Sequence, residues 1–349
     1  MKTERQIKCL VWDLDNTIWD GTLAEEDSCH LKTGVTTVLR SLDSRGILLS
    51  IASANDEQPA IAQLKKSRVS RYFIHPRINW DNKAKNIRAI AKHLGISLDT
   101  IGFIDDEPFE RAQVQMLLPD VRTYRADEYR KLIELPEFNP SFLTDESKRR
   151  REMYLQTERR ATAEKASHMN RTDFLQWTRT ALTFGTACDT DLERIMELMN
   201  RTSQLNATGK VYRPEQVRYF LSDPKYIVYI AMLKDRFVDY GKIGVAICKR
   251  HRDRWRLISF CVSCRVLSRG ISNVFLNMVR YEANKHGAKT FEACYRERDR
   301  NRKMLMLYKL SGLAYLGEDG NGISLFAGSS RKKPFIPKWL TITGESAHE

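Results

Sequence analysis

Carboxylates, a hydroxyl and an ammonium recur in chain order through the first third of the sequence: Asp13 and Asp15, Ser53, Lys83, then Asp105 and Asp106. Asp13 and Asp15 follow the apolar run Ile7 to Trp12, which reads as a buried strand. Ser53 closes a second such run (ILLSIA) and Asp105 a third (TIGFI). Groups at the carboxyl ends of parallel strands meet at one edge of the sheet. This set suits phosphoryl transfer. Asp13 is placed as a nucleophile forming an aspartyl-phosphate, and Asp15 as the acid that protonates the leaving oxygen and then the base for water. Asp13 and Asp15 with Asp105 or Asp106 offer an oxygen-only shell for Mg²⁺. Ser53 and Lys83 are placed to hold phosphoryl oxygens and offset developing charge. Lys85 is a rival for the lysine role.

The elements that must position these groups alternate. Helix-like segments are expected over Gly34 to Ser44, Glu57 to Lys66 and Ala84 to Leu94, and a short strand at Tyr72 to Ile74. The stretch from Ile18 to Leu31 reads as a flap or short hairpin. Alternation of this kind predicts a doubly wound parallel α/β sheet, with too little chain between Asp13 and Ser53 for a large cap. The motifs DLDNT, SIAS, DNKAKN and FIDDEP together resemble those of the haloacid-dehalogenase-like phosphatases.

With 349 residues, two domains are expected. The boundaries read as 1–142 for the α/β domain, 143–181 for a helical linker, 182–328 for a second domain and 329–349 for a loosely ordered tail. In the linker, a long polar helix carries the basic run Lys148 to Arg151, and Thr172 is expected to cap a further helix. The seven cysteines are scattered and odd in number, against a disulfide framework; the lone CxxC, Cys261 and Cys264, lacks a second pair for zinc. No run reaches membrane-spanning length and the N-terminus does not read as a signal peptide, so a cytoplasmic location is expected. The formal charge of +14 favours anionic partners. Aromatic and basic residues do not interleave as in single-strand binders, so a nucleic-acid partner is not expected.

The second half reads as α+β: an amphipathic helix over Asp189 to Met199, a polar loop (NRTSQLNATG), three β-like runs, and a strand–turn–helix with Gly270 at the turn. It resembles an acyltransferase domain of the GNAT type. Arg265 to Gly270 (RVLSRG) is similar to that fold's R-x-x-G-x-G/A turn, with Ser268 where the first glycine belongs. Asn301, Tyr308, Gly312 and Leu313 are similar to its N…Y…GF helix. Strand alternation puts Cys264 on the face of Val262 and Phe260, with Cys261 opposite. Cys264 also abuts Arg265 and the head of a helix, both of which favour a thiolate.

Taken together, WDLDNTIWDG, SAND, INWDNK, FIDDEPFERAQV, RTSQLN, DRFVDYGKIG, SCRV and the Asn301 helix resemble the FkbH-like glyceryl transferase/phosphatase family from about Ile7 to Leu313. The departures are Ser203 for the usual Asn, and Val238 and Ser268 for the usual Gly. The resemblance implies transfer of a glyceryl unit from 1,3-bisphosphoglycerate to the phosphopantetheine thiol of an acidic acyl carrier protein, with loss of the 3-phosphate, in polyketide-type biosynthesis. It implies Mg²⁺ as cofactor and Cys264 or the carrier thiol as acyl acceptor. It also implies Arg265 at a phosphate, and Gln204, Asn206, Arg265, Gly270, Asn301 and Tyr308 around the acyl or pantetheine arm. The competing expectation is a Mg²⁺-dependent phosphatase of small metabolites whose second half only recognises substrate.

Overall fold

The computed structural model describes residues 6–25 and 29–344, with the side chains of Leu267 and Ser268 outside the description. The chain divides into two compact units, Met1–Glu158 and Arg159–Glu349.

The first unit is built on a five-stranded sheet in the order Arg77–Ile78, Leu48–Ser53, Cys9–Trp12, Ile101–Asp105, Arg122–Arg125, with every neighbouring pair parallel. Alternation along the central strand feeds two cores. Leu10 and Trp12 pack with Leu49, Ile51 and the Val35, Val38 and Leu39 face of the helix Val35–Ser44. Cys9 and Val11 pack on the other side with Phe103, Ile87, Ile90 and Val114. Strands buried on both faces read as continuous apolar runs, which is why the sequence shows them so clearly. The chain winds from the central strand to one side and returns to the other, so the switch point falls where Asp13 leaves the sheet.

The hairpin forms, Trp19–Asp20 against His30–Leu31. The strand expected over Tyr72 to Ile74 does not. Ser70–Tyr72 is a 3-10 turn, Phe73 makes one bridge to Leu49, and the left-handed His75 (φ 46°) turns the chain before the edge strand Arg77–Ile78. Gly46 (φ 69°) admits no side chain, because a Cβ there would lie 2.6 Å from the Ser147 carbonyl oxygen.

The linker expected over 143–181 is no separate body. Its long helix, Arg150–Ala166, belongs to the first unit up to Glu158, where Arg151 pairs with Asp43 at 2.9 Å and Tyr154 donates to the Leu94 carbonyl. From Arg159 on it belongs to the second unit, where Arg160 meets the fully buried Asp235 at 3.1 Å. The next helix, Arg171–Trp177, is capped by Asn170, whose side chain accepts from the Asp173 amide, and not by Thr172, which is already helical.

The second unit is α+β. Its eight strands run Ala314–Glu318, Ser324–Ser329, Thr290–Tyr295, Arg254–Val262, Asp239–Arg250, Tyr226–Lys234, Thr180–Thr186, Leu340–Gly344. The segment expected as a loose tail thus contributes an edge strand. Leu340–Gly344, a Thr- and Ile-rich β-former, pairs in parallel with Thr180–Phe184. Among the described residues no helix is long and apolar enough to cross a membrane.

Candidate functional site

Asp13 extends the central strand, its amide donating to the Ile104 carbonyl at 3.0 Å. Its carboxylate meets Lys83 Nζ at 2.9 Å, and the same ammonium meets Asp105 at 2.6 Å. The Ser53 hydroxyl lies beside Asp13 and favours its ionised form. Asp13, Ser53, Lys83 and Asp105 are all buried. Lys83 is the first residue of the helix Lys83–Leu94, capped by Asn82, so its side chain starts at the strand ends. The rival Lys85 instead pairs with Asp81 on the surface. Asp106 is exposed; its carboxylate accepts from Thr17 Oγ1, which in turn accepts from the Asp106 amide.

One oxygen each from Asp13, Asp105 and Asp106 lies within 4.8 Å of the others. Three carboxylates, two of them buried, form an oxygen-only donor set that fits a hard divalent cation such as Mg²⁺. Burial, with the Asp105 charge adding to it, pushes Asp13 up to about 7 against the pull of Lys83. Asp105 is raised as well, mainly by burial. Burial works against the Lys83 ammonium, but the two carboxylates outweigh it and hold its pKa above the ordinary lysine value. Cation binding must therefore expel a proton from this group below neutrality. Apparent Mg²⁺ affinity is expected to fall about fivefold from pH 7 to pH 6, as read by Mg²⁺ titrations of the melting temperature at the two pH values.

Asp15 stands apart from this set. Its Oδ1 accepts from Trp19 Nε1 at 2.7 Å and from the Leu23 amide, and its Oδ2 from Asn55 Nδ2 at 2.8 Å. The left-handed Asn16 (φ 51°) turns the loop beyond it. The carboxylate expected among the metal ligands is thus held elsewhere by three donors, an arrangement that orients a proton-transfer group. Asn55 and Trp19 are the functional partners sequence reasoning missed; the SAND motif was the available signal for Asn55. Replacing Asn55 with Ala frees one Asp15 oxygen and is expected to lower kcat for a phosphomonoester by about 10²-fold with KM little changed, in steady-state assays.

In the second unit the strand ends at Val262, and Cys264 opens the short turn Cys264–Arg269. Cys264 therefore lies beyond the strand's alternation and is half-buried, whereas Cys261 is buried with Sγ 3.4 Å from the Leu198 carbonyl. Arg265 donates to Ser263 Oγ at 3.2 Å. Arg269 pairs with Asp235 at 2.9 Å and contacts Tyr240. Gly270 (φ 71°) heads the helix Ile271–Lys285 in a conformation that favours glycine. The Ser268 side chain lies outside the described residues.

Asn206, Asn301 and Tyr308 are buried and bonded within the unit, while Gln204 lies nearer the surface. The fully buried Asn301 amide donates to the carbonyls of Asn206, Ala207 and Arg296. Its oxygen accepts from the Arg298 amide and Tyr295 hydroxyl. Asn206 accepts from the Gly209 amide, Tyr308 donates to the Cys294 carbonyl, and Gln204 accepts from Lys303. The polar loop is therefore strand-like at its centre. Strands Arg254–Val262 and Thr290–Tyr295 pair only from Arg254↔Thr290 to Leu257↔Ala293. Beyond that, Ala207 donates to the Phe260 carbonyl at 2.9 Å and Val262 to the Leu205 carbonyl at 2.8 Å. The Asn301 and Asn206 side chains hold this segment in place, and Tyr308 anchors its helix to the strand carrying Cys294.

No family model matches the chain, and no curated protein matches it. Among solved structures, it is similar to the N-terminal part of the protein BF1531 from Bacteroides fragilis, containing a phosphatase domain and complexed with Mg. That match has 30% identity over 40% of this chain and 41% of that one, with a TM-score of 0.34. It thus spans less than half of the BF1531 structure. The chain is also similar to the ribosomal-protein-S18-alanine N-acetyltransferase of Escherichia coli, at 15% identity over 48% of this chain and 99% of that one, TM-score 0.35. A third similar structure is the GNAT domain of S. lividans PAT, at 15% identity over 42% and 89%, TM-score 0.35. Each likeness covers part of the chain.

Proposed function

We propose that the chain is a bifunctional glyceryl transferase/phosphatase. It takes 1,3-bisphosphoglycerate, passes the glyceryl group to the phosphopantetheine thiol of an acyl carrier protein and removes the 3-phosphate, in polyketide-type biosynthesis. The observation that carries the phosphatase half is the buried Asp13–Lys83–Asp105 cluster at the switch point of a parallel sheet. The transferase half rests on the motif resemblance and on Cys264, Arg265 and Gly270 sharing one turn.

The 3-phosphate is an unactivated monoester. Asp13 attacks its phosphorus, and Ser53 and Lys83 hold the non-bridging oxygens. Asp15, oriented by Asn55 and Trp19, gives its proton to the leaving oxygen and takes one from the water that hydrolyses the aspartyl-phosphate. Asp13, Asp105 and Asp106 would hold Mg²⁺, which supplies charge neutralisation at the phosphoryl oxygens when bound. The acyl phosphate is already activated. The Cys264 thiolate attacks its carbonyl carbon, inorganic phosphate leaves, and the resulting thioester passes to the carrier thiol. The net charge of +14 would steer an acidic carrier.

The internal engagement of Asn206, Asn301 and Tyr308 favours a second reading, in which the first unit is a Mg²⁺-dependent phosphatase and the second only recognises substrate. Carrier loading by the parent separates the two, and Cys264→Ala tests whether this thiol is the acyl acceptor. Under the proposal the substitution lowers carrier loading at least about 10³-fold while phosphate release from a simple monoester holds at the parent rate. Unchanged loading, measured by carrier mass, would reduce Cys264 to a packing residue.

A further inference from the structure

A second set of metal-ligand side chains lies in the first unit and takes no part in the phosphatase chemistry. His75 sits in the loop before the edge strand Arg77–Ile78, His93 in the last turn of the helix that Lys83 begins, and Glu158 on the helix Arg150–Ala166. The His75 and His93 rings stack with centroids 3.6 Å apart and planes within 4°. His93 Nε2 is 2.8 Å from Glu158 Oε1. One donor atom from each of the three lies within 4.8 Å of the other two. The loop is fixed by Ser50, whose hydroxyl donates to the His75 carbonyl at 3.1 Å.

We propose that His75, His93 and Glu158 form a binding site for a borderline transition metal of the Zn²⁺ class. Two imidazole nitrogens and one carboxylate oxygen are the donors such ions favour, and three protein ligands leave a position for water. The Asp13 cluster has no nitrogen donor and suits Mg²⁺ instead, so the two sites are separated by chemistry. The rings lie face to face, so capture requires one imidazole to turn about its Cβ–Cγ bond, a torsion with broad wells. His93 and Glu158 are 39% and 34% exposed, which leaves room for that turn and for entry of a hydrated ion. An ion held here would tie the carboxyl end of the Lys83 helix to the helix that carries Glu158.

The test uses the full chain without a histidine tag, stripped of metal and kept in excess Mg²⁺, titrated with Zn²⁺ against a chromophoric chelator. The parent and Asp13→Asn proteins are each expected to hold one equivalent of Zn²⁺. His75→Ala and Glu158→Gln are expected to weaken it at least about tenfold. The Co²⁺ form should show d–d bands without a thiolate charge-transfer band, which sets this site apart from the cysteines. Should His75→Ala fold poorly, the near-isosteric Glu158→Gln decides. Failure of the parent to compete with the chelator, a thiolate band, or parent affinity in a folded Glu158→Gln protein would each overturn the site.

Discussion

Asp13→Asn is expected to lower phosphate release from a phosphomonoester at least about 10³-fold, because the amide can neither attack phosphorus nor serve as an anionic ligand. The loss is expected without loss of fold. Burial has pushed Asp13 up to about 7, so keeping its proton is favourable in the folded chain and losing it is not. A group raised in this way contributes stability fully at pH values below its unfolded pKa, and that contribution is lost as pH rises through the folded value. In Mg²⁺-free buffer at pH 8 the Asn protein should therefore melt no lower than the parent, and Mg²⁺ should raise its melting temperature much less. Kinetics and thermal melts with and without Mg²⁺ check both parts. Parent-rate turnover would remove Asp13 from the mechanism.

Lys83→Met is expected to act on stability as strongly as on rate. The ammonium lies between two buried carboxylates, at 2.9 Å and 2.6 Å. Taking it away leaves Asp13 and Asp105 facing each other with no buried cation, a change of about 3–5 kcal/mol for a broken buried pair. Protonating the carboxylates relieves the repulsion, so the deficit should be largest at pH 8 and shrink toward pH 5.5. Mg²⁺ should recover part of it. Phosphate release should fall at least about 10²-fold even where the variant is folded. Urea unfolding at the two pH values reads the stability part, and equal stability of parent and variant at pH 8 without Mg²⁺ would contradict the electrostatic account.

The strand-end cluster of the first unit was legible in the sequence for a physical reason. A strand buried on both faces is an unbroken apolar run, so the polar residue that ends it marks the sheet edge, and Asp13, Ser53 and Asp105 were found in this way. The lysine was ambiguous until the helix start was known. Lys83 occupies the first helical turn beneath the Asn82 cap, and Lys85 points to Asp81. Partners distant in sequence were not legible. The SAND motif marks Asn55 but not its bond to Asp15 forty residues earlier, and nothing local says that Leu340–Gly344 pairs with Thr180–Phe184. Periodicity also misled at the end of a strand: the alternation through Phe260 and Val262 ceases where the chain enters the Cys264–Arg269 turn. For Asn206, Asn301 and Tyr308 the polar atoms satisfy backbone groups of the 205–207 segment and its surroundings, contacts that no local pattern announces.

The most direct measurement is the intact mass of a cognate phosphopantetheinylated carrier protein after incubation with the enzyme, Mg²⁺ and 1,3-bisphosphoglycerate generated in situ. The parent is expected to leave a glyceryl adduct without phosphate on the carrier, and Asp13→Asn an adduct that retains its phosphate. Free phosphate with no adduct on the carrier would contradict the transferase half and leave a Mg²⁺-dependent phosphatase.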